Sequence, residues 1–287
     1  MTFFLFAAAF VGGALNAVAG GGSFIGLPML IFSGVPAVSA NATNTLALWP
    51  ASISSAWAYR RELSAARAWV TRLGAVSLAG GILGGLLLVR TSDTAFLRLL
   101  PWLLLVAAVT FSFGSTLQRM FARQHPAGEA AQHPTASATQ HPTASATQHA
   151  AGEAAKHPAG EAAKHPTAID PQHLTVLFLQ LLISVYGGYF GGGMGIMMLA
   201  TLAIAGMTDM HQMNAVKSVL AVLINGVALA EFIALGAIAW APGIIMVAGG
   251  IAGGYVGAAT ARRVDQRYVR ALVMVIAWGM TIYFFLQ

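Results

Sequence analysis

The sequence lacks cysteine and contains few charged residues. None of its 287 residues is Cys, and only 8% are Asp, Glu, Lys or Arg, against about a quarter in an ordinary soluble domain. The absence of Cys excludes disulfide bonds, thiolate metal sites and thiol chemistry. The first charged side chain is Arg60, so the uncharged opening stretch is far longer than the ~20 apolar residues of one membrane span. We therefore expect an integral membrane protein that contacts a lipid bilayer.

Sequence motifs of common enzyme classes are also absent. The chain has no GxxxxGK nucleotide-binding loop, no GxSxG elbow, no HExxH zinc motif and no pair of carboxylates within an apolar segment. Its net charge of +6 comes mostly from Arg residues between apolar segments, not from a basic stripe of the kind that binds nucleic acid. We predict no enzymatic activity, no cofactor and no nucleic-acid partner, which leaves secondary transport or a channel.

The chain does contain an internal repeat of apolar segments. Eight such segments fall into two sets of four, and the landmarks of the first set recur in the same order in the second. A chance match of this many landmarks is improbable, so the sequence indicates a duplicated unit. The matching landmarks are Gly20–Gly22 with Gly191–Gly193, Asn41 with Asn214, and residues 80–85 with residues 249–254.

A segment of different composition joins the two sets. Seven of the eight histidines recur every eight residues from His125 to His173, within repeats rich in Ala, Thr, Gln, Gly and Pro. A metal-binding tract is one interpretation. A disordered tether is favoured, because this spacing on a flexible chain preorganises no ligand pair. We predict a first transmembrane repeat over residues 1–118, a disordered cytoplasmic linker over 119–172 and a second transmembrane repeat over 173–287, with no metal site.

The placement of Arg residues predicts that the two repeats are inverted. In the first half, four Arg lie between the second and third segments, and Arg119 and Arg123 begin the linker, so both regions are cytoplasmic. In the second half, residues 236–240 carry no charge and the next loop carries four Arg. Inversion requires the first segment of each half to return to its own side. The predicted fold class is all-α: a polytopic integral membrane protein with two inverted repeats, each a Gly-broken re-entrant hairpin plus three transmembrane helices.

The glycine breaks and nearby polar residues form the candidate binding site. A broken helix survives in a membrane only where it is buried in protein or lines a polar cavity. The helix N-termini near Ser23 and Met194 would offer N–H groups to an anion, and we expect them to meet near the midplane. Close helix packing is the alternative interpretation of the Gly runs. The predicted substrate-binding residues are Gly20, Gly21, Gly22, Ser23, Asn41, Asn44, Thr45, Ser52, Gly191, Gly192, Gly193, Met194, Asn214, Lys217, Ser218 and Asn225.

Two charged residues lie inside apolar segments of the second half. Lys217 occupies the position of Asn44 in the repeat and is the best candidate for a cationic anion ligand, with a snorkelling interfacial Lys as the alternative. Glu231 could relay protons, but its repeat counterpart is Ala58, close to Arg60, which favours a location at the membrane boundary. Besides a small anionic substrate, the partners to consider are a coupling ion, proton or sodium, and a second copy of the chain.

Several of these motifs resemble one known family, the TauE/SafE membrane transporters, also called sulfite exporters. The resemblance covers both halves and omits the linker. It implies a multi-pass protein of the bacterial inner membrane that exports sulfite, sulfoacetate or a related sulfur or organic oxyanion by alternating access. Uptake of similar anions, or a metal-sensing or assembly role of the linker, are the alternatives. The resembling segments are NAVAGGGSFIGLP at residues 16–28, NATNT at 41–45, GGYFGGGMGI at 187–196 and NAVK at 214–217.

Overall fold

The computed structural model describes residues 1–18, 21–64, 66–124, 174–260 and 266–287, and these residues form ten α-helices and no strand. Most of the predicted linker and all seven regularly spaced histidines lie outside this part of the chain. The helix α5 continues beyond residue 118, the predicted end of the first repeat. The helices are α1 Thr2–Val18, α2 Ser23–Phe32, α3 Ala37–Ala58, α4 Arg67–Arg90, α5 Asp93–Gln124, α6 Leu174–Tyr189, α7 Met194–Ile204, α8 Met210–Ala234, α9 Trp240–Thr260 and α10 Gln266–Leu286.

The first apolar segment of each half is two helices, not one. In the first half, α1 ends at Val18 and α2 begins at Ser23; in the second, α6 ends at Tyr189 and α7 begins at Met194. The predicted interruptions at the Gly runs are therefore confirmed, with Gly20 itself outside the described residues. Helices α2 and α7 have 10 and 11 residues, about 15 Å each, so neither alone crosses a hydrocarbon core of about 30 Å. A re-entrant path stays a prediction.

Four of the described helices are long and apolar enough to cross a membrane, namely α4, α5, α8 and α9. The sequence predicts three such helices in each half. Helix α3 has 22 residues, but its Asn, Thr and Ser residues make it less apolar than these four. The apolar part of α10 found in the described residues is only Ala271–Leu286. The all-helical, multi-pass architecture is thus confirmed, and spanning by α3 and α10 stays a prediction.

The two halves exchange packing partners. Helix α1 of the first half packs mainly against α9 of the second, and α6 of the second packs mainly against α4 of the first. The shorter helices also contact the opposite half, α2 through α10 and α7 through α5, besides packing on helices of their own half. Helices α3 and α8 pack against each other. Each broken helix pair is therefore held largely by the opposite half, and the two halves interlock.

Glycines allow the closest of these helix contacts. A Cβ atom added at Gly249 of α9 would lie 2.5 Å from the carbonyl oxygen of Phe6, and one added at Gly84 of α4 would lie 2.7 Å from the backbone nitrogen of Tyr189. Small residues four positions apart bring helix backbones together in this way. The glycines within residues 80–85 and 249–254 therefore serve close helix packing.

Candidate functional site

The second break adopts backbone conformations that favour glycine. Gly191 and Gly193 have φ angles of 81° and 78°, in the left-handed region where a side chain is strained. The hydroxyl of Tyr186, one turn before the end of α6, donates to the carbonyl oxygens of Gly192 at 2.7 Å and Leu103 at 3.2 Å. The break is therefore a fixed structure, with one of its carbonyl groups satisfied by a side chain.

The first break uses its glycines mainly for packing. Gly22 has a helical φ of −60°, so its conformation does not require glycine. A Cβ atom on Gly22 would lie 3.0 Å from Cβ of Asn16, and one on Gly21 would collide with Val273 of α10. Gly21 and Gly22 therefore serve close helix packing, which is the interpretation that the sequence favours less at the triple-Gly sites. Gly193 combines both roles, because its Cβ would lie 3.2 Å from Cα of Ala107.

A single turn of α3 contacts the end of α6 and the first turns of α2. The side-chain amide of Asn41 donates to the carbonyl oxygen of Tyr189, the last residue of α6, at 2.8 Å. One turn later, Oδ1 of Asn44 lies against Gly26 in the first turns of α2. The two residues are separated by about 5 Å of helical rise. Residues from the two halves thus converge on α3, although a direct meeting of the two helix N-termini stays a prediction.

Helix α8 supplies the polar groups beside α7. The stem of Lys217 lies 3.4 Å from the position of a Cβ on Gly195, in the first turn of α7. Its Nζ donates to Oδ1 of Asn214 at 3.0 Å, and Nδ2 of Asn214 donates to the carbonyl of Met210 at 2.8 Å. Two turns further on, Oδ1 of Asn225 lies 3.8 Å from the Cβ position of Gly191. Lys217 and Asn225 therefore lie along the second break.

The remaining predicted residues have less direct connections to the breaks. Thr45 donates to the carbonyl of Asn41 in its own helix at 3.0 Å, and Ser52 is half-buried about two turns further along α3. Ser218 is buried, and Ser23 is half-buried at the start of α2. The Met194 side chain is 6% exposed and packs towards Gly187, so only its backbone N–H would be available to a ligand.

Glu231 lies in the last turns of α8. Its side chain is half-buried, and Oε2 contacts Gly85 of α4 without a hydrogen-bond partner in the described part of the chain. It lies one turn before the end of the helix at Ala234, and its location at the membrane boundary stays a prediction. Because of the contact with Gly85, one carboxyl oxygen of Glu231 is enclosed between α8 and α4.

Sequence reasoning missed a buried polar cluster between α4 and α6. Nε2 of Gln180 donates to Oγ of Ser77 at 2.8 Å and to Oγ of Ser184 at 3.2 Å, and all three side chains are fully buried. Such bonds between membrane helices stabilise one packing register. The sequence signal for this cluster was the polar pair Gln180 and Ser184, four positions apart within the apolar run of α6. Sequence reasoning also missed Tyr186, whose hydroxyl bonds to the second break. Its sequence signal was a Tyr one turn before a Gly run.

Comparison with known proteins agrees with this architecture. Residues 5–284 match the family described as sulfite exporter TauE/SafE. The chain is 26% identical over 284 residues to a probable membrane transporter protein of Haemophilus influenzae, covering 96% of this chain and 91% of that protein. It is 25% identical over 280 residues to probable membrane transporter protein ORF9 of Sinorhizobium sp., covering 97% and 90%. No solved structure matches the chain. From its helical multi-pass architecture and this match over nearly its whole length, the chain is a membrane transporter that belongs to the sulfite exporter TauE/SafE family.

Proposed function

We propose that the protein is a secondary transporter that exports a small oxyanion, such as sulfite, sulfoacetate or a related sulfur or organic anion, across the bacterial inner membrane. The family description supports this substrate class. The sequence has no GxxxxGK loop, so a gradient of the substrate, of another ion or of electrical potential supplies the energy.

One observation carries the proposal: a lysine lies beside the positive end of a broken helix. The first N–H groups of α7, at Met194 and Gly195, have no partner within the helix, and the helix dipole places a partial positive charge there. The stem of Lys217 packs on this turn, and its Nζ bonds to Asn214. No carboxylate forms an ion pair with Lys217 among the described residues.

This arrangement favours an anion. The ammonium group and the helix N-terminus repel each other unless a negative charge lies between or beside them. An oxyanion with several acceptor oxygens can receive bonds from Nζ and from the free N–H groups at the same time. A hydrogen bond to a charged group contributes about 1.5–3 kcal/mol, which corresponds to about 10- to 100-fold in affinity.

The exchange of packing partners supports alternating access. Each broken helix pair packs on helices of the opposite half, so tilting of one half moves the break that it holds relative to the other. In transporters built from repeats, such movement opens a central site first to one side and then to the other. The glycine contacts between α1 and α9 and between α4 and α6 would carry each break with the opposite half.

The test is anion flux in proteoliposomes that contain the purified full-length protein. Sulfite, sulfoacetate and thiosulfate are compared as substrates for the wild type and for Lys217→Gln, Lys217→Arg and Arg90→Gln. Arg90→Gln is the matched control, because it also removes one cation but at an exposed helix end. We expect Lys217→Gln to weaken apparent anion affinity about 10- to 100-fold, with Lys217→Arg intermediate and Arg90→Gln unchanged.

Two results would contradict the proposal. The first is the absence of flux of any oxyanion above that of protein-free liposomes. The second is equal apparent affinity in Lys217→Gln and Arg90→Gln, which would place the anion elsewhere.

A further inference from the structure

Two buried amide oxygens on α3 have no hydrogen-bond donor in the part of the chain that the structure describes. The side chains of Asn41 and Asn44 are 1% and 2% exposed. The Oδ1 atoms of both have no hydrogen-bond partner among the described residues. Buried polar atoms in native proteins almost always have a partner. Two unpaired oxygens on one turn of one helix therefore point to a ligand that supplies positive charge or a donor.

The orientation of the Asn41 amide follows from its neighbour. Nδ2 donates to the carbonyl oxygen of Tyr189 at 2.8 Å. Exchanging the nitrogen and oxygen of this amide would place two acceptors together, which is unfavourable. Oδ1 of Asn41 is thus the atom that remains without a donor. An oxyanion presents further acceptors and would be repelled by this oxygen, so Asn41 does not suit the anion site predicted from the sequence.

The end of α6 adds further negative character at this turn. Tyr189 is the last residue of α6, and the C-terminal end of a helix carries a partial negative charge on carbonyl groups without intrahelical partners. Helix ends and unwound carbonyl groups of this kind coordinate sodium in transporters with broken helices. Neutral oxygens and a negative dipole end therefore favour a cation here.

The ligand type and the available space select the cation. Calcium and magnesium sites use Asp or Glu carboxylates, whereas this turn offers only amide and carbonyl oxygens. In the described residues, no group of three or more His, Cys, Asp or Glu could hold a metal ion. The space at this turn is small. Oδ1 of Asn44 lies where a Cβ atom on Gly26 would stand, and the methyl carbon of Met246 is 3.3 Å from that Cβ position. A small monovalent ion fits these conditions better than a large one.

We propose that Asn41 and Asn44 bind a sodium ion beside the C-terminal end of α6, and that this ion raises the affinity for the anion beside the N-terminal end of α7. Both ends flank the same four-residue break, residues 190–193. Opposite charges about 10 Å apart, at an effective dielectric constant near 20, change affinity by roughly tenfold. The effect is reciprocal, so the anion raises sodium affinity by the same factor. The anion part rests on the proposed function, and sodium binding does not.

Sodium binding is measured directly, without an anion substrate. Purified full-length protein in detergent is titrated with ²²Na⁺ at constant ionic strength, with choline or potassium as the replacing ion. Asn44→Ala removes an oxygen that makes no hydrogen bond in the described residues, so the fold should be retained. Asn44→Asp keeps an oxygen at the site. Ser54→Ala, an exposed change on the same helix, is the control.

We expect saturable ²²Na⁺ binding in the wild type and Ser54→Ala, at least tenfold weaker binding in Asn44→Ala, and recovery in Asn44→Asp. Potassium should compete poorly. Equal binding by Asn44→Ala and the wild type, or equal competition by potassium and sodium, would overturn the assignment.

A second measurement separates this inference from the proposed function. Sulfite affinity, read from flux in proteoliposomes, should be about tenfold higher in sodium than in choline medium. Sulfite flux that does not respond to sodium, together with no ²²Na⁺ binding, would overturn the sodium site and leave the anion transporter standing. Specific ²²Na⁺ binding without flux of any oxyanion would reject the proposed function and support the cation site.

Discussion

Replacing Gly253 by Ala should destabilise the contact between α1 and α9. The new Cβ would lie 2.5 Å from the carbonyl carbon of Phe10 and 2.7 Å from its Cα, whereas carbon atoms in contact are about 3.5–4.0 Å apart. The helices must therefore separate by about 1 Å, since backbone atoms cannot rotate away. Overpacking of this kind costs about 1–3 kcal/mol, and the better helix propensity of Ala returns up to about 1 kcal/mol.

The matched control is Gly279→Ala in α10, where an added Cβ meets nothing within 4 Å. This change should leave stability unchanged or raise it by up to about 1 kcal/mol. Thermal unfolding of the detergent-purified variants, followed by Trp fluorescence, compares the two. At about 2–4 °C per kcal/mol, Gly253→Ala should unfold several degrees below Gly279→Ala. Equal midpoints would show that the backbones of α1 and α9 are not in close contact at Gly253.

Two further substitutions test individual contacts. Tyr186→Phe removes the hydroxyl that donates to Gly192, and the unsatisfied carbonyl should cost about 1–3 kcal/mol. Tyr255→Phe, at a 78% exposed position, should have no effect in the same unfolding assay, and equal midpoints would refute the role of the hydroxyl. Glu231→Gln should retain anion flux and unfold at the same or a higher temperature, because its Oε2 is enclosed without a described partner. A tenfold loss of flux would instead assign Glu231 to proton coupling.

The broken helices could be predicted from the sequence because their cause is local. Each glycine lowers helix propensity by about 1 kcal/mol relative to Ala, so three in a row favour an interruption, and the structure interrupts both predicted segments there. Apolar length likewise predicted α4, α5, α8 and α9. The exchange of packing partners could not be predicted, because it depends on contacts between segments that lie far apart in the chain. Periodicity reports which face of a helix is apolar but not which helix covers it.

The candidate site was predictable in its positions but not in its chemistry. Alignment of the two repeats predicted polar residues at Asn41, Asn44, Asn214 and Lys217. The structure places Asn41 at the end of α6 and Asn44 against Gly26 of α2. It places Lys217, bonded to Asn214, beside Gly195 of α7. An asparagine side chain is both donor and acceptor, and its orientation depends on its partner. That partner is the carbonyl of Tyr189, a residue of the opposite half. The sequence of the first half therefore contains no information about which atom of Asn41 faces the site.

The duplication predicts two equivalent sites, but one difference between the repeats makes them unlike. At matching positions, α3 has Asn44, whose Oδ1 has no hydrogen-bond partner among the described residues, and α8 has Lys217 with a cationic nitrogen. An oxygen acceptor repels an oxyanion and an ammonium group repels a cation, so the turn at Asn44 favours a cation and the turn at Lys217 favours an anion. Asn41, on the same turn as Asn44, contacts the end of α6, and Lys217 contacts the start of α7, so the two proposed sites flank the second break. The two proposals together therefore lead to one anion and one cation per chain, side by side, in place of two identical anion sites related by the repeat.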